Sequence, residues 1–278
     1  MRTMITTALF DIKRQVRGDG RSIDQYLKWF EKTLQVKCDM TIYTEEIFKN
    51  FVEIHRSKIS HKTEIIVQDL QDVPFWKNKS RMQQIMVSNN YRSRMKSPNR
   101  IECYLPEYNL IQYSKFGWLK TTAKKNPDHD FFFWMDAGCS RFFLDFDFDD
   151  EWPNTDSLNK DKFVIQRNIN FPKMWPNLNI QDYIWESECM LVGTLFGGSS
   201  ETVFKMKEII EEITESVFFK NDCINNEQFA LAIASKLHVD LFDVREQRVG
   251  KENEGSSHLP LFKCLATIAI GIVLRVLT

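Results

Sequence analysis

The fold is decided by the stretch FFFWMDAG, residues 131–138. Its first five residues are apolar without interruption, and such a strand is stable only when both of its faces are covered. We therefore predict that residues 131–135 form a central strand of a parallel sheet. Ligands of parallel α/β sheets bind beyond the carboxyl ends of the strands. Asp136, which follows this strand directly, is therefore a candidate functional residue.

Outward from this strand, short apolar segments alternate with amphipathic ones in both directions. The predicted strands are residues 4–10, 40–43, 63–67 and 190–192, with a closing strand near 241–242. The predicted helices are residues 23–34, 109–124, 203–217 and 225–237, and residues 193–198 are predicted as a glycine-containing loop. Alternation of this kind is typical of an α/β domain with a mostly parallel central sheet flanked by helices. We expect one such domain over residues 1–250.

The C-terminal segment differs from the rest of the chain. Residues 251–258 are polar and are predicted to be a linker, and an apolar tail follows up to residue 278. The uninterrupted apolar run in that tail, residues 264–274, is shorter than the roughly 20 residues that a membrane span needs. A docked terminal helix is therefore favoured over membrane association through the tail.

Composition and charge exclude several classes of protein. The chain has 37 Lys and Arg against 38 Asp and Glu, so it lacks the basic field that nucleic-acid binding requires. Its six cysteines are widely spaced and form no CxxC pair, which argues against a zinc site and indicates reduced thiols. The apolar N-terminus is too short for a secretory signal. We therefore expect a cytoplasmic protein with no nucleic-acid partner.

Two charged segments have alternative interpretations. Between Lys77 and Arg100 there are seven basic residues and no acidic one, which predicts either a solvated face or a surface that meets phosphate or acceptor. Between Leu144 and Asp150, aspartates alternate with apolar residues. That pattern favours an edge strand whose aspartates face water, and cation binding is the alternative.

The residues after the central strand suit a divalent cation that carries a diphosphate. Mn²⁺ and Mg²⁺ prefer oxygen ligands and commonly take one or two carboxylates while phosphates and water complete the shell. Asp136 would supply such a carboxylate, and Gly138 would let backbone come close. Asp and Gly are also ordinary turn residues, so this motif alone does not separate the two interpretations.

Many short motifs, in order along residues 4–244, resemble those of the HtrL/YibB family. They are TALFDI (7–12), YLKWF (26–30), IYTEE (42–46), PEYN (106–109), SK (114–115), FWMDAG (133–138), RF (141–142), VGTLFGG (192–198) and NEQ (226–228). That family is similar to nucleotide-diphospho-sugar transferases of the GT-A fold. The resemblance therefore implies a GT-A-like glycosyltransferase with a nucleotide-sugar donor, UDP-sugars being favoured, and a glycan hydroxyl as acceptor.

The resemblance also implies a Mn²⁺ or Mg²⁺ cofactor and places Asp136 at the metal-binding acidic motif of the GT-A fold. In the usual D-x-D motif, a second carboxylate stands where this chain has Gly138. The second ligand would then come from a distant residue, for which His238 and Asp243 are the candidates.

Roles for the other matching residues follow from the chemistry of sugar transfer. The donor-side candidates are Phe10, Asp11, Ile12, Arg14, Arg21, Thr44 with the adjoining Glu45, Lys115, Asp136 and Ala137. If configuration is inverted, a carboxylate must deprotonate the acceptor hydroxyl. Glu227 is the preferred base and Glu188 its rival. On the acceptor side we expect Trp185, Gly197 and Gly198.

Two other functional classes remain as alternatives. The first is a nucleotide-sugar hydrolase or a nucleotidyltransferase on a related sheet, although no glycine-rich phosphate loop follows the first strand. The second is a non-catalytic glycan-binding protein that kept the fold and lost the second metal carboxylate. A fold does not by itself imply an activity.

Overall fold

A computed structural model describes residues 1–142 and 155–246 of the chain. Seven strands form one sheet in the order β3-β2-β1-β4-β6-β5-β7, which places β4 at its centre. Their bounds are β1 Thr3–Leu9, β2 Asp39–Thr44, β3 Thr63–Val67, β4 Phe131–Met135, β5 Phe163–Arg167, β6 Leu191–Gly198 and β7 Phe242–Glu246. The predicted central strand at residues 131–135 is confirmed at both ends.

The sheet is mostly parallel, as expected. Strands β3, β2, β1 and β4 run parallel to one another, and β7 runs parallel to β5. Strand β6 is antiparallel to both β4 and β5. The carboxyl ends of β1 and β4 therefore meet at one edge of the sheet, which is where a ligand site is expected.

Helices flank the sheet. The α-helices are α1 Arg14–Arg17, α2 Ile23–Thr33, α3 Glu46–Arg56, α4 Lys79–Val87, α5 Asn89–Arg94, α6 Pro106–Lys125, α7 Phe171–Met174, α8 Ile180–Tyr183, α9 Ser200–Ile213 and α10 Glu227–Leu237. Local signals explain several helix starts. The side chain of Ser199 caps α9 by accepting from the backbone of Thr202, and Ser22 and Gln25 form a capping box at α2.

Strand β4 separates two apolar layers. Phe132 and Trp134 belong to one core cluster, whereas Phe131, Phe133 and Met135 belong to the other. All five side chains are buried. This arrangement explains the uninterrupted apolar run, because alternate residues of a strand point to opposite faces and both faces are covered here.

The predicted loop at residues 193–198 is wrong, because these residues belong to β6. Two of its three glycines, Gly197 and Gly198, are needed for close packing of the strand against β4 and α9. A Cβ on Gly197 would lie 2.1 Å from the carbonyl oxygen of Phe132, and one on Gly198 would lie 2.3 Å from Oγ1 of Thr202. Glycine in a strand often marks such a close approach.

Some expectations fall on residues outside the described part. These are the alternating segment at 144–150, the domain boundary at 250, and the linker and tail at 251–278. Within residues 1–142 and 155–246, no helix combines the length and the apolar character needed to cross a bilayer.

Candidate functional site

A cavity lies at the carboxyl edge of the sheet, where β1 and β4 end. It is lined by Ala8, Leu9, Phe10, Asp11, Ile12, Arg14, Arg21, Ile23, Tyr26, Tyr108, Ile111, Gln112, Lys115, Trp134, Asp136, Ala137, Gly138 and Arg141. The set includes every donor-side candidate except Thr44 and Glu45. The residues singled out at the strand ends are thus brought together in space.

Helix α6 supplies one wall of the cavity. Tyr108, Ile111, Gln112 and Lys115 line it, and their spacing of three or four residues places them on one face of the helix. Pro106 at the start of the helix suits its first turn, where a missing N–H costs nothing.

The carboxylate of Asp136 is held from one side. Nε1 of Trp134 donates to Oδ1 at 2.7 Å, and Nζ of Lys115 lies 2.9 Å from the same oxygen. The Trp134 ring is itself fixed by stacking on Trp118, with ring centroids 5.9 Å apart. The Asp136 side chain is 26% exposed, so a ligand in the cavity can reach it.

Lys115 is a buried cation whose three N–H groups all have acceptors. Besides the Asp136 carboxylate, Nζ contacts Oε1 of Glu227 at 2.7 Å and donates to the carbonyl oxygen of Gly193 at 3.0 Å. Its side chain is 1% exposed. Burial disfavours the charge, but Asp136 and Glu227 outweigh it and raise the pKa of Lys115. An ammonium has three donors, so no N–H of Lys115 remains for a ligand.

Glu227 does not take the position expected of a base. It is the first residue of α10, which Asn226 caps by accepting from the backbone of Gln228. Its side chain is 1% exposed and does not line the cavity. Burial raises its pKa, and Lys115 partly offsets that effect. Glu227 therefore lies behind Lys115, as its counter-ion, out of reach of an acceptor in the cavity.

Arginines form the basic part of the cavity wall. Nε and Nη2 of Arg14 bind both oxygens of Asp19, at 2.8 and 2.6 Å, and its guanidinium lies 5.0 Å from the ring centroid of Tyr108. Arg21 is 43% exposed and lies 3.4 Å from Asp19. Arg141 also lines the cavity. Arg14, Arg21 and Arg141 together give this part of the cavity wall a basic character that suits an anion.

At the end of β1 the expected residues fall into two groups. Phe10 lines the cavity and stacks on Trp118, and Asp11 lines it while pairing with Lys13 at 2.6 Å. Thr44 is fully buried, and its hydroxyl donates to the carbonyl oxygen of Leu9. Glu45 accepts a hydrogen bond from the backbone N–H of Asp11 at 2.7 Å. Thr44 and Glu45 therefore support the first strand instead of facing a ligand.

The acceptor-side candidates lie outside the cavity. Trp185 is 6% exposed, and the guanidinium of Arg94 lies 3.8 Å from its ring centroid. Gly197 and Gly198 are buried in β6. Glu188 is exposed and contacts Asn170 at 3.4 Å. Gly197 and Gly198 thus belong to a strand instead of the expected loop, and neither Trp185 nor Glu188 lines the cavity.

The candidates for a second metal ligand are also elsewhere. His238 is the C-cap of α10, and Asp243 lies in β7, paired with Arg245. Neither lines the cavity. Across the described ranges, no three His, Cys, Asp or Glu side chains form a cluster that could hold a metal. The described chain therefore offers a cation in this cavity mainly one oriented carboxylate, Asp136.

The basic segment at 77–100 uses several of its charges within the protein. Lys79 contacts Glu107 at 3.2 Å, Arg81 contacts Asp222 at 2.6 Å, and Arg100 contacts Glu102 at 2.6 Å. None of the segment's residues lines the cavity. These pairs favour the interpretation as a protein surface over that as a phosphate-binding surface.

Sequence reasoning missed several residues of the cavity wall as site residues. They are Tyr26, Tyr108, Gln112, Trp134 and Arg141. A signal for part of this set existed, because Tyr108 and Gln112 share a helix face with Lys115, which was a candidate. Trp134 carried no such signal, since its position in the apolar run indicates only burial.

The fold and the site define an α/β protein with a charged cavity at the carboxyl edge of a mostly parallel sheet. A model of the family described as "Bacterial protein of unknown function (HtrL_YibB)" matches residues 1–265, and the chain belongs to this family. The match reaches further than the motifs at residues 4–244. The chain is also 24% identical to Protein HtrL of Escherichia coli (strain K12), over 99% of this chain and 96% of that protein.

Two solved structures are similar to this chain at 8% sequence identity. One is mouse xyloside xylosyltransferase 1 in its apo form, with a TM-score of 0.43 over 88% of this chain and 84% of that one. The other is a glycosyltransferase involved in glycosylation of the major capsid of PBCV-1, with a TM-score of 0.37 over 90% of this chain and 84% of that one.

Proposed function

We propose that the protein is a glycosyltransferase that binds a nucleotide-diphosphate sugar in this cavity and transfers the sugar to a glycan hydroxyl. The observation that carries the proposal is the carboxylate of Asp136. It stands at the end of the central strand, oriented by Trp134 and Lys115, in a cavity that also has arginines in its wall. Arginines can pair directly with the diphosphate of a nucleotide sugar, and a carboxylate can hold a divalent cation that binds the same diphosphate.

The donor would extend beyond the cavity. The cavity has a volume of about 120 Å³, whereas ligand pockets commonly measure roughly 300–1,000 Å³. One end of the nucleotide sugar would therefore occupy the cavity and the rest would lie along its rim. Arg21, which is 43% exposed, and Arg141 are placed to meet the diphosphate.

A divalent cation fits this site with Asp136 as its protein ligand. A carboxylate that holds a metal is usually hydrogen-bonded as well, and both described contacts of Asp136 fall on one of its oxygens, Oδ1. Mg²⁺ or Mn²⁺ can be bound through one carboxylate when substrate phosphates and water complete the shell. The cation would supply positive charge to the departing diphosphate.

Deprotonation of the acceptor falls to a group other than Glu227. Among the described residues, the carboxylates that line the cavity are Asp11 and Asp136. Asp11 has a side chain 21% exposed and pairs with Lys13, which is itself exposed and can move away. Asp11 is therefore the carboxylate to test as a base if configuration is inverted.

The test is a product-release assay with UDP-sugars and GDP-sugars, run with and without glycan acceptors and with and without Mn²⁺. We expect nucleoside diphosphate to be released in an acceptor-dependent way, and Asp136→Asn to reduce the rate by at least about 100-fold. The exposed Asp72 is the matched control, and Asp72→Asn should leave the rate unchanged. Release without any acceptor would instead indicate a hydrolase. Glycan binding without nucleotide binding would indicate the non-catalytic alternative.

A further inference from the structure

Two buried charges have no direct role in the proposed transfer, one in the cavity wall and one directly behind it. Lys115 and Glu227 are each 1% exposed and lie 2.7 Å apart, on α6 and at the start of α10. Burial of an ion pair costs several kcal/mol per ion before the attraction between the two charges offsets it. A fold alone could be stabilised equally well by apolar side chains at both positions, so the pair calls for a functional explanation.

The contacts of Lys115 show how the pair reaches the cavity. All three N–H groups of the ammonium are used, by Asp136, Glu227 and the carbonyl oxygen of Gly193. Lys115 therefore has no donor left for a diphosphate. Its effect on a ligand must pass through Asp136, whose Oδ1 it holds together with the indole of Trp134.

The charges in the cluster do not cancel. One ammonium stands against two carboxylates, those of Glu227 and Asp136. Glu227 is buried and offsets the charge of Lys115, so the side of the cluster that faces the cavity keeps the negative charge of Asp136. Without Glu227, the ammonium of Lys115 would neutralise the charge of Asp136 and would repel a divalent cation in the cavity.

Close packing fixes this arrangement. A Cβ on Gly193 would lie 2.3 Å from Oε1 of Glu227, so a larger residue there would push the carboxylate away from Lys115. The backbone N–H of Asp136 donates to the carbonyl oxygen of Thr194 at 2.9 Å. Two neighbouring carbonyl oxygens of β6 therefore accept hydrogen bonds, that of Gly193 from Lys115 and that of Thr194 from the backbone of Asp136.

We propose that Lys115 and Glu227 are positioning residues, which orient Asp136 through Oδ1 and preserve its negative charge for a divalent cation bound with a nucleoside diphosphate. The proposal rests on the proposed function, and it assigns Glu227 a role other than that of the base. Glu227 acts here through Lys115 and Asp136 and touches neither donor nor acceptor.

The test measures Mn²⁺ binding in the presence of saturating UDP, by the decrease of the free Mn²⁺ electron paramagnetic resonance signal. Glu227→Gln keeps the size of the side chain and an oxygen acceptor for Lys115, and it removes one negative charge. We expect it to weaken Mn²⁺ binding about 10-fold, which is the usual range for residues that support a metal ligand. Circular dichroism and thermal unfolding of each variant show whether the fold is retained.

A double variant separates charge from packing. Lys115→Met combined with Glu227→Gln removes one charge of each sign and restores the negative charge on the Asp136 side, while Nε1 of Trp134 still donates to Oδ1 of Asp136 and keeps it oriented. We expect Mn²⁺ binding by the double variant to be stronger than by Glu227→Gln alone. A merely structural role predicts the reverse order, because the double variant loses more contacts.

The outcomes distinguish this inference from the function on which it rests. If the wild-type protein binds neither UDP nor Mn²⁺, the proposed function is overturned and the inference with it. If the wild-type protein binds both, and Glu227→Gln binds Mn²⁺ as tightly as the wild type does, only the inference is overturned. The same holds if the double variant binds Mn²⁺ more weakly than Glu227→Gln.

Discussion

Two buried cations of this protein, Arg56 and Lys115, are bound in different ways. Arg56, 3% exposed, donates to three backbone carbonyl oxygens and to the hydroxyl of Thr63. Burial lowers its pKa to about 10. Lys115 instead lies between two carboxylates, which raise its pKa against the effect of burial.

The difference teaches where to look for function. Neutral carbonyl groups are sufficient for Arg56, which joins the chain segments at residues 34–38 to the start of β3. Two carboxylates around Lys115 are more than a buried lysine needs, and one of them, Asp136, lines the cavity. An excess of negative charge next to a cavity indicates that a positively charged ligand binds there.

The largest expected effect is that of Lys115→Met. Removal of the ammonium leaves two carboxylates without their cation, which should lower the free energy of unfolding by about 3–5 kcal/mol. Mn²⁺ should restore part of that stability, because it can replace the lost positive charge between the carboxylates. Thermal unfolding with and without Mn²⁺ measures both effects. No gain from Mn²⁺ would mean that the cluster is not open to a cation.

Arg56→Met should also destabilise the protein, by about 2–4 kcal/mol, because buried carbonyl oxygens lose their donors. Here we expect no recovery with Mn²⁺ and no change in UDP affinity, since Arg56 does not line the cavity. Unfolding in urea and a UDP titration check the two parts. Recovery equal to that of Lys115→Met would remove the distinction between the two cations.

Gly193→Ala should have a smaller effect, about 1–3 kcal/mol, because its Cβ would lie 2.3 Å from Oε1 of Glu227 and force a shift. Mn²⁺ affinity should fall with it. Gly197→Ala is the matched control, since its Cβ would meet the carbonyl oxygen of Phe132 instead. That variant should lose stability while the Mn²⁺ affinity of the folded protein is retained. Equal losses of affinity in both would indicate a general distortion of β6.

The smallest expected effect is that of Asp39→Asn on the pH dependence of stability. Asp39 lies at the start of β2, at the edge of the sheet opposite the cavity. Burial disfavours ionised Asp39, but bonds from His129, the backbone of Lys62 and Arg2 outweigh it and lower the pKa. The stability that ionised Asp39 contributes is fully present above the pKa of an unfolded aspartate, about 3.9. It is lost as the pH falls through the lower pKa that Asp39 has in the folded protein. Asp39→Asn should therefore cost less than about 1 kcal/mol at pH 7 and reduce the loss of stability in acid. An unchanged acid unfolding profile would contradict this assignment.

Much of the fold follows from local patterns in the sequence. The apolar run at 131–135 required two covered faces, and the structure provides them. The strand at 63–67 and the capping of α9 by Ser199 were also predictable, because each depends on residues adjacent in the chain. The residues at the ends of β1 and β4 lie together for the same reason, since parallel strands end at one edge.

The parts that could not be predicted depend on distant contacts. Glu227 at the start of a helix looks the same in sequence whether it faces solvent or a buried lysine 112 positions away. Residues 193–198 were predicted as a loop because of their glycines, but these glycines allow β6 to pack closely against β4, α9 and α10, which only distant contacts reveal. Helix α3 was not among the predicted helices, although Phe48 and Val52 give it a buried face.

The most direct test of the central claim is a calorimetric titration of the wild-type protein and of Asp136→Asn with UDP, with and without Mn²⁺. We predict that the wild-type protein binds UDP more tightly with Mn²⁺, and that Asp136→Asn loses this gain while it remains folded. At 100 times the dissociation constant, bound ligand should stabilise the wild type by about 2.7 kcal/mol. Equal binding by both proteins, or no binding by either, would contradict the assignment of this cavity as the donor site.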